Sequence, residues 1–267
     1  MDNKTMGSMA ERLLNFVDTA QVHDSNFDIA LTMVKNYNTI KKMTLREMAD
    51  LCYVSQASIS RFCRFMGYES FKEFHAALEQ DFKISDDYTR QFHSLLKSNS
   101  SKALTMYREQ LIDNINLTMT EENLRVLPRV LEILRDSKRV AFFSHHFLWD
   151  IGHFFQGRMI MLDRYVELFQ PYEEQLNCAK SLDDGCAAFI CTMGGSYFTL
   201  YKPIIDAIHD SGAKVVVLTQ NIGSPFINRA DYVLRCGISN QNDIGKYSAL
   251  MIIDYIVMCY MRENGNV

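Results

Sequence analysis

Proline is scarce in this 267-residue chain: there are four, none before Pro128. Proline removes a helix donor and blocks the preceding turn, so the N-terminal part can be helical almost throughout. Long apolar runs are missing as well, and none approaches the ~20 residues a membrane-spanning helix needs. The Met-, Ile- and Tyr-rich tract Met251 to Met261 is interrupted by Asp254 and reads as a core or dimer-face helix. A secretory leader pattern is absent, and the first ten residues read as unstructured. The seven cysteines (Cys52, Cys63, Cys178, Cys186, Cys191, Cys236 and Cys259) include no CxxC pair and mostly sit in apolar runs. That pattern favours buried, reduced thiols in a cytoplasmic protein over a disulfide framework. Excess positive charge is lacking too: the net charge of −4 gives no overall pull toward nucleic acid. Any DNA binding must come from a local surface.

What is present is an ordinary globular balance, 48% hydrophobic and 22% charged, with enough chain for two small domains or one large one. The most informative stretch is Met43 to Gly67, MTLREMADLCYVSQASISRFCRFMG. Leu45, Met48, Ala49 and Cys52 fall at helical spacing, and small Ala49 lets a second helix cross closely. Tyr53 and Val54 make a turn, and Ser55 is an N-cap whose hydroxyl can take an orphan amide of the next helix. Ile59, Phe62 and Cys63 give that helix an inward stripe. Gln56, Ala57, Ser58, Ser60, Arg61 and Arg64 stay outside, short polar groups first and cations farther along. A DNA recognition helix needs this distribution, its first turn at base edges and its flanks on phosphates.

Gln56 and Ser58 are the expected base contacts, with Ser55 and Ser60 beside them and Arg61 and Arg64 on base or phosphate. Lys41, Lys42, Arg46 and Lys72 are the expected phosphate anchors. Between Lys41 and Lys72 six cations face three carboxylates, a net +3 that a symmetric dimer presents twice along one duplex. Many helix-turn-helix units carry Gly where Tyr53 stands. Either the turn here is longer, or Tyr53 keeps an ordinary backbone.

Helices are expected near Glu11 to Ala20, Phe27 to Asn36 and Ser70 to Lys83, the last capped by Ser70. The polar stretch 85–102, with Ser98 to Ser101 inside it, reads as a linker. It divides a helical DNA-binding domain (residues 1–84) from a second domain (103–267). That second domain opens with helices Ala103 to Asn116 and Glu121 to Asp136. Five short apolar runs follow: Arg139 to Ser144, Tyr165 to Phe169, Cys186 to Thr192, Lys214 to Thr219 and Tyr232 to Cys236. Amphipathic stretches separate them: Trp149 to Leu162, Glu173 to Ser181, Phe198 to Ser211, a short one near Pro225 to Arg229, and Ile244 to Arg262. Apolar strands without alternation, each followed by a helix, indicate a parallel sheet buried on both faces. The expectation is an α/β doubly wound domain of five strands, with ligands beyond the carboxyl ends of its strands.

The segment Met43 to Phe74, with its VSQASISRFCRFMGY core and the FKEF after it, resembles the N-terminal signature of the RpiR family of bacterial transcriptional regulators. Asp210 to Gly237 is similar to the fourth and fifth strands of the SIS (sugar isomerase) domain of that family. The resemblance implies a helix-turn-helix joined to a SIS domain in a dimeric or tetrameric regulator, often a repressor. It also implies an inverted-repeat double-stranded operator and a phosphosugar, or related metabolite, as effector. It departs from the family at two loops. Where SIS domains carry a Gly- and Ser-rich first loop, this chain has Ser144, His145, His146, Phe147 and Leu148. The usual hydroxyl-rich Ser-x-Ser-Gly-x-Thr loop reads Thr192-Met193-Gly194-Gly195-Ser196-Tyr197.

Gly194 and Gly195 can still offer amides to an anion, with Thr192 and Ser196 adding hydroxyls. The expected ligand-binding set is Ser144, His145, Thr192, Gly194, Gly195, Ser196 and Gln220. The altered loops leave open a different ligand, or a domain that only dimerises. His145, His146, His153 and Asp150 match no zinc spacing and read as loop histidines, and Trp149 reads as packing. An isomerase would draw on His145, His146, Asp243 or Lys246, but no motif places a carboxylate–histidine pair. The expectation is a regulator that is not an enzyme and that needs no cofactor, no metal and no membrane.

Overall fold

The computed structural model describes residues 8–81 and 84–264. Two compact units divide the chain at residue 83. The first is a bundle of short helices, most of them started by a capping side chain the sequence supplies. Ser8 and Glu11 form a reciprocal capping box on α1 (Met9–Thr19). Asp24 accepts two amides at the start of α2 (Ser25–Lys35), which is followed by the single turn α3 (Tyr37–Ile40). Thr44 and Glu47 box the start of α4 (Leu45–Leu51), Ser55 caps α5 (Gln56–Phe65), and Ser70 caps α6 (Phe71–Gln80). Each such cap satisfies amides that have no partner within their helix. Met33, Ile40, Met48, Ala49, Ile59, Phe62, Cys63, Phe74 and Leu78 close one core. The unstructured start expected for the first ten residues fails from Ser8 onward, since Ser8 is buried as the cap of α1 and Met9 is already helical; residues 1–7 lie outside the described residues.

The stretch 85–102 differs from the linker expected. It holds a 3-10 turn (Ile84–Asp87), then α7 (Arg90–Ser98) and the start of α8 (Ser100–Asn116), and it belongs with the second unit. Its polar residues are caps: the Thr89 hydroxyl accepts from the Phe92 amide, and Asn99 accepts from the Lys102 amide. Thr89 also anchors the segment by donating from its amide, at 2.9 Å, to the buried Asn242 side chain.

After α9 (Glu121–Asp136) comes a five-stranded parallel sheet of β1 (Arg139–Phe143), β2 (Glu167–Leu168), β3 (Cys186–Cys191), β4 (Lys214–Thr219) and β5 (Tyr232–Arg235). The strand order is β2-β1-β3-β4-β5, with Phe142 opposite Phe189 and Phe189 opposite Val216. Covering helices are α10 (Phe147–Ile160), α11 (Tyr172–Lys180), α12 (Ser196–Leu200), α13 (Lys202–Asp210) and α14 (Gly245–Asn264). Gly152 lets α10 approach β1 closely; a Cβ there would lie 2.6 Å from the Phe142 ring.

The stretch Phe198 to Ser211, expected as one helix, is two. Pro203 lacks the amide that would continue α12 and sits instead in the first turn of α13, where that loss costs nothing. The second strand pairs over only two residues of the five expected. On α14, Ile252, Ile253 and Ile256 are buried while Asp254 faces outward, so the tract is a core helix on one side.

Candidate nucleic-acid interface and ligand site

The first candidate site is the α4–turn–α5 unit. Ile59, Phe62 and Cys63 are fully buried, and Gln56, Ala57, Arg61 and Arg64 are exposed on the other face of α5. The exposed polar groups are ordered among themselves. The Ser55 hydroxyl accepts from the Ser58 amide (3.1 Å), and Arg61 Nη2 donates to Ser58 Oγ (2.9 Å). Ser60 donates back to the Gln56 carbonyl (3.0 Å), leaving Gln56 and the two arginines as the outward groups of this face. Around it, Lys42 lies exposed before α4, Lys72 is exposed in the first turn of α6, and Arg46 lies 4.0 Å from Asp50. Lys41 sits over the Tyr37 ring at 4.6 Å. Burial pushes the Cys52 and Cys63 thiols up to about 11 and about 12, so both stay protonated at neutral pH.

Neither alternative for Tyr53 describes its conformation. The turn is short, and Tyr53 itself adopts φ +54° while 96% exposed. The Val54 amide donates to the Ala49 carbonyl and the Tyr53 amide to the Asp50 carbonyl, the paired bonds of a Schellman helix end. At the end of α5 the same pair of bonds recurs, from Tyr68 to Cys63 and from Gly67 to Arg64, with Gly67 at φ +88°. Arg12 then holds this end by donating to the Met66 carbonyl and the Tyr68 hydroxyl, a contact across 54 and 56 residues that no local pattern announces.

The second candidate site lies where the strand order reverses, between β1 and β3. Ligands of doubly wound sheets sit in this crevice. The loops after these strands meet there: His145 Nε2 lies 3.2 Å from Ser196 Oγ. Gly194 and Ser196 are exposed, and Gly195 takes φ +86° ahead of the short helix α12. The hydroxyl of fully buried Ser144 has no hydrogen-bond partner among the described residues. Two members of the expected set are turned inward instead. The Thr192 hydroxyl is buried and accepts from the Tyr197 amide (3.3 Å), and Gln220 donates to the Ser239 carbonyl (2.7 Å).

Tyr197 does not obstruct the crevice; it underpins the loop. Its ring is fully buried and its hydroxyl donates to Gln175, whose amide donates to the carbonyls of Ser144 (3.2 Å) and Phe169 (2.7 Å). Burial raises the Tyr197 phenol well above its ordinary range, so it remains a donor. Asn221 closes the other side by donating to the Gly194 carbonyl at 3.0 Å. Gln175 and Asn221 are thus loop supports that sequence reading missed, because neither belongs to the loop it holds.

The remaining candidates fall into separate small groups. His145 and His146 have ring centroids 4.8 Å apart, and His153 stacks on Trp149 at 5.6 Å. Lys246 is ion-paired with Asp243 and lies 5.4 Å above the Phe147 ring. Among the described residues, no three His, Cys, Asp or Glu side chains converge as metal ligands would. No helix among them is long and apolar enough to cross a membrane.

Comparison with known proteins agrees with this geometry. Residues 12–85 match the model of the rpiR-family helix-turn-helix domain. An HTH-type transcriptional regulator of Caldanaerobacter subterraneus subsp. tengcongensis is 26% identical over 215 residues, covering 78% of this chain and 73% of its own. Another from Haemophilus influenzae is 23% identical over 236 residues, covering 85% and 82%. Among solved structures, the Vibrio vulnificus NanR protein complexed with ManNAc-6P is similar with a TM-score of 0.52 at 18% identity, covering 94% and 92%. The sugar isomerase domain of an RpiR transcription factor from Sphaerobacter thermophilus gives 0.51 at 14%, covering 60% and 90%. At these identities the two structures speak for the fold.

Proposed function

We propose that the chain is a helix-turn-helix transcriptional regulator of the RpiR family with a SIS-fold domain, a cytoplasmic repressor that releases its operator on binding a phosphosugar or related metabolite. The carrying observation is α5: a fully buried inner stripe beneath an exposed face of Gln56, Arg61 and Arg64. In a homodimer two such helices enter successive major grooves of an inverted repeat, about one helical turn apart. Gln56 and Ser58 address base edges, Arg61 and Arg64 base or phosphate, and Lys41, Lys42, Arg46 and Lys72 the backbone, with Ser55 and Ser60 shaping the helix start.

The effector sits in the crevice between β1 and β3. Ser196 and the amides of Gly194 and Gly195 meet its anion, and Ser144 and His145 stand beside it. Thr192 and Gln220 shape the loops from within. Support comes from the crevice itself and from a protein of like fold having been solved with ManNAc-6P. Binding shifts the readers only through different affinity for the operator-competent and operator-incompetent states. The SIS unit senses without turnover: its third-strand loop has exchanged anchoring hydroxyls for Gly194 and for Tyr197, which faces inward.

Gel retardation of the chain's own promoter fragment tests the reading. Arg61→Ala should abolish specific retention while leaving the melting temperature unchanged; wild-type affinity in that variant would remove the recognition-helix assignment. Turnover of sugar phosphates by the purified chain would remove the sensor reading.

A further inference from the structure

Side-chain amides tie the loops after β3, β4 and β5 together in one line that leads away from the crevice. Behind β4, Asn221 donates to the Gly194 carbonyl (3.0 Å) and the Gln220 backbone amide to the Met193 carbonyl (3.2 Å). The Gln220 side chain donates onward to the Ser239 carbonyl at 2.7 Å. Ser239 lies in the loop 237–244 after β5, which Asn114 of α8 also holds. Asn114 is buried and accepts from the amides of Ile238 (2.9 Å) and Ser239 (3.1 Å). Gly237 makes that approach possible, since a Cβ on it would lie 2.2 Å from Asn114. Farther along the loop, buried Asn242 accepts from the Thr89 amide (2.9 Å) and hydroxyl (3.2 Å) and donates to Gln110 (2.9 Å). Thr89 caps α7, soon after the boundary at residue 83. The line thus runs from the anion loop to the segment through which the second unit is joined to the first.

We propose that the loop 237–244 is the relay that carries effector binding from the crevice to the DNA-reading unit, with the Asn242–Thr89 clasp as its output. The inference rests on the effector reading given above and assigns the route of its regulation. Two features give this loop a second arrangement to move to. Asn242 and Asp243 both take φ +56°, a left-handed pair without glycine. Residues with a Cβ keep such a backbone only where their surroundings enforce it, and strain held this way is typical of switching segments. The enforcing contacts are hydrogen bonds, which are lost over a shift of about 1 Å. An anion drawn onto Gly194 and Ser196 reorders the crevice loop, and Asn221 and Gln220, bonded to that loop, move with it. Gln220 pulls on Ser239, the left-handed pair relaxes, and Asn242 releases Thr89. The clasp is closed in the operator-competent state and open in the effector-bound one. Only a higher affinity of the effector for the open arrangement drives the change.

Hydrogen exchange and gel retardation of the full chain, with Gln220→Ala and Asn242→Gly variants and millimolar inorganic phosphate as the probe, test the relay. Gln220→Ala removes the bond to Ser239 without touching Thr89. With no ligand present it should speed exchange of the Thr89 amide at least ~10-fold while the β3 amides exchange as in wild type. Asn242→Gly deletes the clasp and keeps the left-handed backbone, which glycine adopts freely. That variant should still retain the promoter fragment. Phosphate should lower the operator affinity of the wild type at least ~10-fold and that of Asn242→Gly less than ~2-fold. A bond that only supports the fold would lower the melting temperature of Asn242→Gly and leave its response to phosphate intact. Wild-type exchange at Thr89 in Gln220→Ala overturns the relay, as does an Asn242→Gly chain that responds to phosphate as the wild type does. Either result leaves the crevice and α5 assignments standing. Phosphate that fails to protect the amides of residues 192–197 in the wild type removes the effector reading instead, and the ligand-free Gln220→Ala measurement then decides the relay alone.

Discussion

Replacing Tyr53 by glycine should stabilise the first unit. Two successive helix ends in that unit use the same pair of hydrogen bonds, one with Gly67 at the left-handed position and one with Tyr53. For a residue with a Cβ this conformation costs roughly 1–2 kcal/mol. At 96% exposure the Tyr53 ring contributes almost nothing to packing that its loss would forfeit. Against the relief stands the extra freedom glycine gives the unfolded chain, about 0.4–1 kcal/mol. The balance is a gain of about 0.5–1 kcal/mol, or roughly 2–8 °C for a unit of this size. Scanning calorimetry of the full chain reads the first unit's transition. Tyr53→Ala is the control, since it removes the ring and keeps the Cβ, and it should melt close to wild type. If the glycine variant melts no higher than the alanine variant, the left-handed strain assigned to this turn is wrong.

Lys42→Ala should weaken all duplexes alike and lower the salt slope of binding by ~1 unit, measured by anisotropy at several salt concentrations. Ser196→Ala should alter the melting shift that a phosphosugar produces while leaving operator retention intact. Tyr197→Phe should cost about 1–3 kcal/mol in chemical denaturation, because it strands the buried Gln175 acceptor. Glu167, on which Arg139 places two hydrogen bonds of 2.7 Å, has its carboxyl held below the ordinary range chiefly by those bonds. That stability is therefore present above the unfolded carboxylate's pKa and lost as pH falls through the lowered folded value. Glu167→Gln should accordingly flatten the acid limb of the stability curve.

Much of this fold is legible because its signals are local. Thr44, Ser55 and Ser70 announce helix starts within three residues, and CAAFIC and KVVVLT announce buried strands. What escapes reading depends on distant partners. The serines and asparagine between residues 85 and 102 look like a linker until Thr89 is seen to anchor on Asn242, 153 positions away. Thr192 and Gln220 stand in the right loops, yet whether a hydroxyl or amide faces the crevice is set by Tyr197 and Ser239. A tyrosine at a left-handed position breaks the residue preference on which turn reading relies, and only the hydrogen bonds around it reveal the motif.

The central claim is that α5 lies in the major groove, and local cleavage tests it most directly. An iron chelate tethered through Ala57→Cys, at an exposed position of the first turn of α5, should cut promoter DNA in two patches whose centres lie about 10 base pairs apart. A single patch, or no cleavage beyond that of the untethered chelate while the fragment is still retained, would contradict it.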